Sequence, residues 1–409
     1  MTDVVDWSRL THAYGSAEDV PLNIAALRSD DEDVRYQALG DLFSSIVHQG
    51  TRYPASAYAV PPLLELLADP SVPDRAFIGQ LVALIAIGGD EAWLPETLPI
   101  EDLRVESIGG EEAMARLLRE GWDELSIDEA AKVDALAEER AYDAVAAGLP
   151  LLRRLAVRPA AVAEAAAGDR VLVGATPLGA LPADDGVALV AAYTIGWFPD
   201  HEPEHSLAVL DALAAVGDEA ETAVAVVAAG LLGAAGGERM AARALVDTRP
   251  VVRWAGAVAA AKLDGPRADQ RVAPELLHWA GGGSAPDVRM PYLDGDLAGY
   301  AALALRQLGR EHDVAAFNAF LARLPQVEGS PALTIAGEAL RLACPHGPIA
   351  DGTPFVDLDD RQQRLAQVLA AAPGPWFWDG NRFGNFEMLL GEYGYPNSHE
   401  EMRTYVSPL

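Results

Sequence analysis

The residues most able to do chemistry lie in His201-Glu202-Pro203-Glu204-His205. Two histidines four apart, with a glutamate after the first, can hold a zinc ion in mid-helix, because the imidazoles then sit one turn apart while the glutamate activates water. Here Pro199-Asp200 precedes the motif and Pro203 lies inside it. Proline is tolerated in the first turn of a helix and disfavoured in its interior. The spacing therefore predicts a helix beginning near Pro203, with His201 left in the preceding loop. With no apolar flanking helix and no clear third ligand, we assign no metal ligand.

Other reactive types are no better placed. Gly230, Gly233, Gly236 and Gly237 lack the spacing and the following Lys-Ser/Thr of a phosphate loop. No Gly-x-Ser-x-Gly elbow occurs. The single cysteine, Cys344, lies two residues before His346 across Pro345. A buried structural thiol is the simpler reading, and one cysteine excludes an internal disulfide or a cysteine-based zinc site. We assign no catalytic residue and no cofactor. The candidate contacts are of another kind. The loop His48-Gln49-Gly50-Thr51-Arg52-Tyr53 is richer in hydrogen-bonding groups than a turn requires. It is read either as a helix cap, with His48 complementing the dipole, or as an edge facing a ligand. We take His48, Gln49, Thr51, Arg52 and Tyr53 as candidate partner-binding residues, together with Trp376 and Trp378 of the aromatic tail.

Charge narrows the partner. The chain of 409 residues carries 61 acidic against 30 basic residues, a net charge of −31. Affinity for nucleic acid comes largely from Lys and Arg displacing counterions, and the densest basic pair, Arg153-Arg154, builds no groove, so no nucleic-acid partner is expected. The charge either keeps an Ala-rich helical surface soluble and monomeric or steers in a basic protein. Half the residues are hydrophobic and mean hydropathy is only +0.09. The longest apolar runs, Val187–Gly196 and Ala223–Ala235, are too short to span a bilayer. With no basic-then-apolar leader at the N-terminus, a cytoplasmic protein without membrane contact is expected.

The elements that must position these residues repeat. Val20-Pro21-Leu22-Asn23-Ile24-Ala25-Ala26-Leu27 and Val60-Pro61-Pro62-Leu63-Leu64-Glu65-Leu66-Leu67 share their Val-Pro start and final Leu at an offset of 40. Polar breaks follow, then Arg35 and Arg75, then second apolar helices that stop at His48-Gln49-Gly50 and Gly88-Gly89. Val34, Ala38, Leu42 and Ile46 form one stripe of the second helix, widened by Leu39 and Phe43. The pattern returns at 249–263, at Val272-Ala273-Pro274-Glu275-Leu276-Leu277, and at Asp287-Val288-Arg289, which repeats Asp33-Val34-Arg35. A helix–turn–helix unit of this length, opened by Val-Pro and by Asp-Val-Arg, resembles the HEAT repeat. The resemblance covers about residues 16–90 and 237–310. It implies an all-α fold, an α-α superhelix (HEAT-like solenoid) with irregular terminal caps. It also implies that Asp33, Arg35, Arg75, Asp287 and Arg289 belong to a structural ladder between units.

The division expected is an N-terminal HEAT-like solenoid over 1–167, a second block of hairpins over 184–344 and an aromatic-rich cap over 345–409. Trp7, Leu10 and Tyr14 are expected to cover the first repeat. Ser126-Ile127-Asp128-Glu129 predicts the start of a long helix reaching about Ala147. The Gly/Pro-rich stretch 168–183 is the expected break, with Arg170–Val173 a short strand or a buried loop. A helix over Asp360 to Ala371 leads into the tail, whose aromatics are more simply a lid on the last hairpin than a contact patch.

Proteins of the HEAT type include partner-binding scaffolds. In GC-rich bacterial genomes, which this Ala-, Gly- and Asp-rich chain resembles in composition, they include candidate immunity proteins that mask toxins. They also include DNA glycosylases for alkylated bases and bilin lyases. The function expected is non-catalytic protein binding, by a monomeric scaffold or by an acidic inhibitor of a basic partner. A HEAT-fold enzyme, glycosylase-like or lyase-like, is the alternative.

Overall fold

A computed structural model describes residues 5–90, 93–157, 186–283 and 288–407. Among them are twenty α-helices and two minimal hairpins, β1 (Thr11–His12) with β2 (Gly15–Ser16) and β3 (Phe377–Trp378) with β4 (Asn381–Arg382). The chain is all-α, as its patterning predicts. No helix among the described residues is long and apolar enough to cross a membrane. The stretch expected to break the chain, with its possible strand at Arg170–Val173, lies outside the described residues, as does Asp287.

Two compact units form, Met1–Met240 with Arg289–Gly295, and Ala241–Val288 with Asp296–Leu409. The first unit begins with α1 (Val20–Ala26), α2 (Glu32–Ile46), α3 (Ser56–Ala68) and α4 (Arg75–Ile87). α1 packs on α2 and α3 on α4, while α1 also touches α3 and α2 touches α4, so the two hairpins stack. Arg35 donates to Ser29 O in its own hairpin and, through Nε, to the buried Asp74 of the next at 2.7 Å, Arg35 itself being largely covered. Arg75 in turn donates to Leu67 O. The carboxylate in this ladder is Asp74, held at φ 56 just before α4, and not Asp33.

α5 (Ile100–Glu106), α6 (Gly110–Glu120), α7 (Ile127–Ala147) and α8 (Leu149–Leu155) follow, then α9 (Val187–Ile195), α10 (Pro203–Val216) and α11 (Glu219–Leu232). The long helix α7 opens with the expected Ser126–Glu129 capping box. α4 and α9 are apolar on nearly every face, and both lie in the core. They approach closely at Gly79, where a Cβ would stand 2.6 Å from Val190 Cγ1. Here glycine is required by space and not by backbone conformation.

α12 (Gly237–Ala244) carries the chain into the second unit. There α13 (Pro250–Asp264), α14 (Val272–Ala280), α15 (Leu297–Leu305), α16 (Asp313–Arg323) and α17 (Ser330–Ala343) are followed by α18 (Asp360–Ala371), α19 (Gly384–Glu392) and α20 (His399–Val406). From α13 to α17, helices touch both their successor and the helix after that, as stacked hairpins do.

Two expected helix starts are displaced. Val60-Pro61 does not open α3, which begins at Ser56 and keeps Pro61 and Pro62 inside. The reason is Ser56: its buried Oγ accepts from Tyr53 N and donates to Ile46 O, fixing the helix end a turn earlier. Arg289 opens no helix either. The chain stays irregular to a turn at Tyr292–Gly295, in which Leu293 and Asp294 have positive φ, and α15 starts only at Leu297. That turn is fixed by contacts distant in sequence: Tyr292 donates to Val224 O, and Leu293 N donates to the buried Asp90 carboxylate.

Candidate functional site

The loop His48–Tyr53 joins α2 to α3. His48–Gly50 form one 3-10 turn, with Gln49 at φ 50 and Gly50 at φ 82. Arg52 points inward, 4% exposed. Its guanidinium donates to Gly50 O and, at 2.7 Å, to Glu138 of α7. Gly88, which ends α4, has no room for a side chain, since a Cβ there would collide with Arg52 Nη1 and Gly50 O. Arg52, one of the candidate partner-binding residues, is therefore turned inward as the support of the loop. Burial lowers its pKa and the Glu138 carboxylate opposes that shift.

Beside the loop stand an aromatic residue from the N-terminal segment and two acidic residues from α7. Tyr14, expected to cover the first repeat, is instead 67% exposed. Its hydroxyl lies 3.3 Å from His48 Nδ1, and the two rings meet edge to face at 5.5 Å. Gln49 is exposed, whereas Thr51 and Tyr53 are half-buried. Tyr53 faces Asp134, one helical turn before Glu138 on α7, and its pKa is raised by burial, then by Asp134 and Tyr14. Water reaches Asp134, yet the surrounding protein crowds it enough to raise its carboxyl pKa. Glu138 is raised too, first by burial and then by Asp134 and Glu106, with Arg52 acting against them. Asp134 and Glu138 thus lie one turn apart on α7, with Tyr53 close to Asp134 and Arg52 paired to Glu138, and with the loop and Tyr14 they make up a recess. Such a recess gains from receiving a cation, through Coulomb attraction and the ring faces. Sequence reading found the loop and missed Asp134, Glu138 and Tyr14. The signal present was the Asp134–Glu138 spacing of four on a predicted helix.

The remaining candidates are structural. α10 does begin at Pro203, so His201 precedes it, edge-on to Tyr142 and Phe198. The buried Arg153 donates to His201 O, to Glu202 at 2.5 Å and to Ser206 Oγ. These bonds hold Glu202 at φ 51 and account for the motif as a helix start. No group of three or more His, Cys, Asp or Glu among the described residues could hold a metal ion. Cys344 is buried, which raises its thiol pKa, and it accepts weakly from Gln362 at 3.8 Å. In the tail, Trp376 is 1% exposed and donates to Leu369 O, so it belongs to the lid and not to a contact surface. Trp378, 45% exposed at the β3–β4 hairpin, packs edge-on to Phe383 and lies against Gly329.

Comparison with known proteins adds no identity. No protein-family model matches the chain, and no curated protein matches it. A solved structure of an engineered protein is similar at 18% identity, over 86% of this chain and 88% of that one, with a TM-score of 0.26. That likeness carries no argument.

Proposed function

We propose that this protein is a non-catalytic HEAT-type solenoid that binds another protein in the cytoplasm, and that the recess of Tyr14, Tyr53, Asp134 and Glu138 takes a lysine or arginine of a basic partner. The observation that carries the reading is geometric: the buried Arg52 holds Glu138 at 2.7 Å from beneath, Asp134 stands exposed one turn away on α7, and Tyr14 is exposed beside the loop at His48. A cation delivered there stabilises the ionised forms, so binding is favoured by the same crowding that costs the free protein. The stacked hairpins α1–α4 and the Arg35–Asp74 ladder support the HEAT-type assignment. The net charge of −31 would speed the encounter with a basic protein. An inhibitor of the immunity type would bind such a partner tightly and 1:1; a scaffold would bind more loosely.

The test is affinity capture from the native lysate at low and moderate salt, with wild type and Asp134→Asn side by side. Asp134 makes no side-chain hydrogen bond or ion pair among the described residues, so the variant should fold as wild type. One basic protein held near stoichiometrically by wild type and depleted several-fold on Asp134→Asn is the expected result. Equal retention by both proteins, or no basic protein on wild type, would sink the proposal.

A further inference from the structure

The second unit holds a feature that runs against the charge of the whole chain. A cavity of about 320 Å³ is lined by Arg306, Arg310, Arg341 and Arg361, with Asp313 as its one lining carboxylate. These arginines come from separate elements: the end of α15, the turn before α16, the last turn of α17 and the first turn of α18. Gly309, at φ +104, makes the reversal that aims Arg306 and Arg310 at one space.

The site is built from beneath. Glu338 of α17 is 1% exposed, and its two oxygens are shared between Arg306 and Arg341. Arg306 donates through Nε at 2.7 Å, and Arg341 through Nε and Nη2 at 3.1 Å. Arg361 is pinned by its Nη1 bond to Leu342 O at 3.0 Å and by the face of Phe317, 5.8 Å away. Two acids precede it: Asp359 is committed to the backbone N–H groups of Arg361 and Gln362, and Asp360 is exposed at the start of α18. Three of the four forks are thus held before any ligand arrives, and ligand binding need not order them. Arg310 is exposed and has no carboxylate partner among the described residues. Among the lining side chains and the buried acid beneath them, four arginines stand against Asp313 and Glu338, while Glu311 beside Gly309 and Asp359 and Asp360 at the start of α18 lie around the rim.

We propose that this cavity binds the phosphoryl group of a small phosphate monoester. Planar guanidinium forks match the oxygen spacing of phosphate and can grip it bidentately, where a lysine would act only as a point charge. The volume lies at the small end of ligand sites, which suits a compact organic phosphate and excludes a large cofactor. Because the dianion carries the stronger charge, binding weakens as pH falls through the second phosphate pKa, near 6.

The experiment is calorimetric titration of the full chain with phenyl phosphate and inorganic phosphate, at low salt and pH 7.5. The same titrations are made on Arg310→Ala and Arg361→Lys. Saturable 1:1 binding is expected, about tenfold weaker in Arg310→Ala, the loss of one charge-assisted contact. Arg361→Lys keeps the charge and loses the fork, so it should bind more weakly as well. Arg310 supports no other group among the described residues, so circular dichroism of its variant should match wild type. No saturable binding by wild type, or unchanged binding in both variants, overturns the proposal.

Discussion

The recess of the first unit and the cavity of the second are charge inversions of one another. In the first, a cation is buried: Arg52, with its side chain 5% exposed, holds Glu138 at 24%, and Asp134 stands further out. In the second, an anion is buried: Glu338 at 1% holds Arg306 at 32% and Arg341 at 37%. In each case one buried ion fixes outward groups of the opposite sign. A buried ion is expensive to desolvate, and an apolar residue of similar size would often be at least as stabilising. What the arrangement gives is position, and position matters where the outward charges must meet something.

The two buried ions can be compared directly by removing them. Arg52→Met leaves Glu138 crowded without its cation and Gly50 O without its donor. It should cost about 2–3 kcal/mol, below the full penalty for breaking a buried pair because Glu138 can reach water or take up a proton. Denaturant titration of the variant reads this. Glu338→Ala should cost less, about 1–2 kcal/mol, because Arg306 and Arg341 are each about one-third exposed and can turn to solvent. It should also weaken phosphate binding, because Arg306 and Arg341 lose the anchor that holds their forks in place, an effect partly offset by the added positive charge. If Glu338→Ala proved the more damaging of the two to stability, the acid would be a core ion pair first, and the inversion would lose its meaning. The effect of salt should differ in sign of usefulness: 0.5 M sodium chloride should weaken phosphate binding strongly and leave the stability lost in Arg52→Met nearly unchanged, since exposed charges are screened and buried ones are not.

Legibility in the sequence followed the range of the interactions. The cap Ser126–Glu129, the start of α10 at Pro203 and the span of α18 depend on neighbours within a turn, and the residues announced them. Pro61 misled because the start of α3 is set by Ser56 reaching Ile46, and Arg289 misled because its segment is held by Asp90 and Val224. No periodicity encodes such contacts. The arginine cavity was hidden for the same reason. Its four cations are spread from 306 to 361, and a search for adjacent basic residues finds only Arg153-Arg154, of which Arg153 is buried and already bonded to Glu202. The recess was half visible, since its loop is one run of polar residues while its carboxylates come from α7.

The smallest effect is also the one that tests the recess without a partner in hand. Burial raises the Asp134 pKa above that of an unfolded chain. Below the unfolded value near 3.8 the group is protonated in both states and costs nothing. As pH rises through the higher folded value, the native state must hold an anion it disfavours, and stability falls. Asp134→Asn removes that anion, so the variant should melt slightly above wild type at pH 7, and the gap should close as pH drops toward 4. The partner sees the opposite slope. A cation seated in the recess prefers ionised Asp134, so the complex should weaken on acidification over the same range in which the free protein gains. Melting curves that stay parallel from pH 7 to 4 would mean that Asp134 is not crowded at all. The recess would then have no reason to want a cation, however acidic the surface around it.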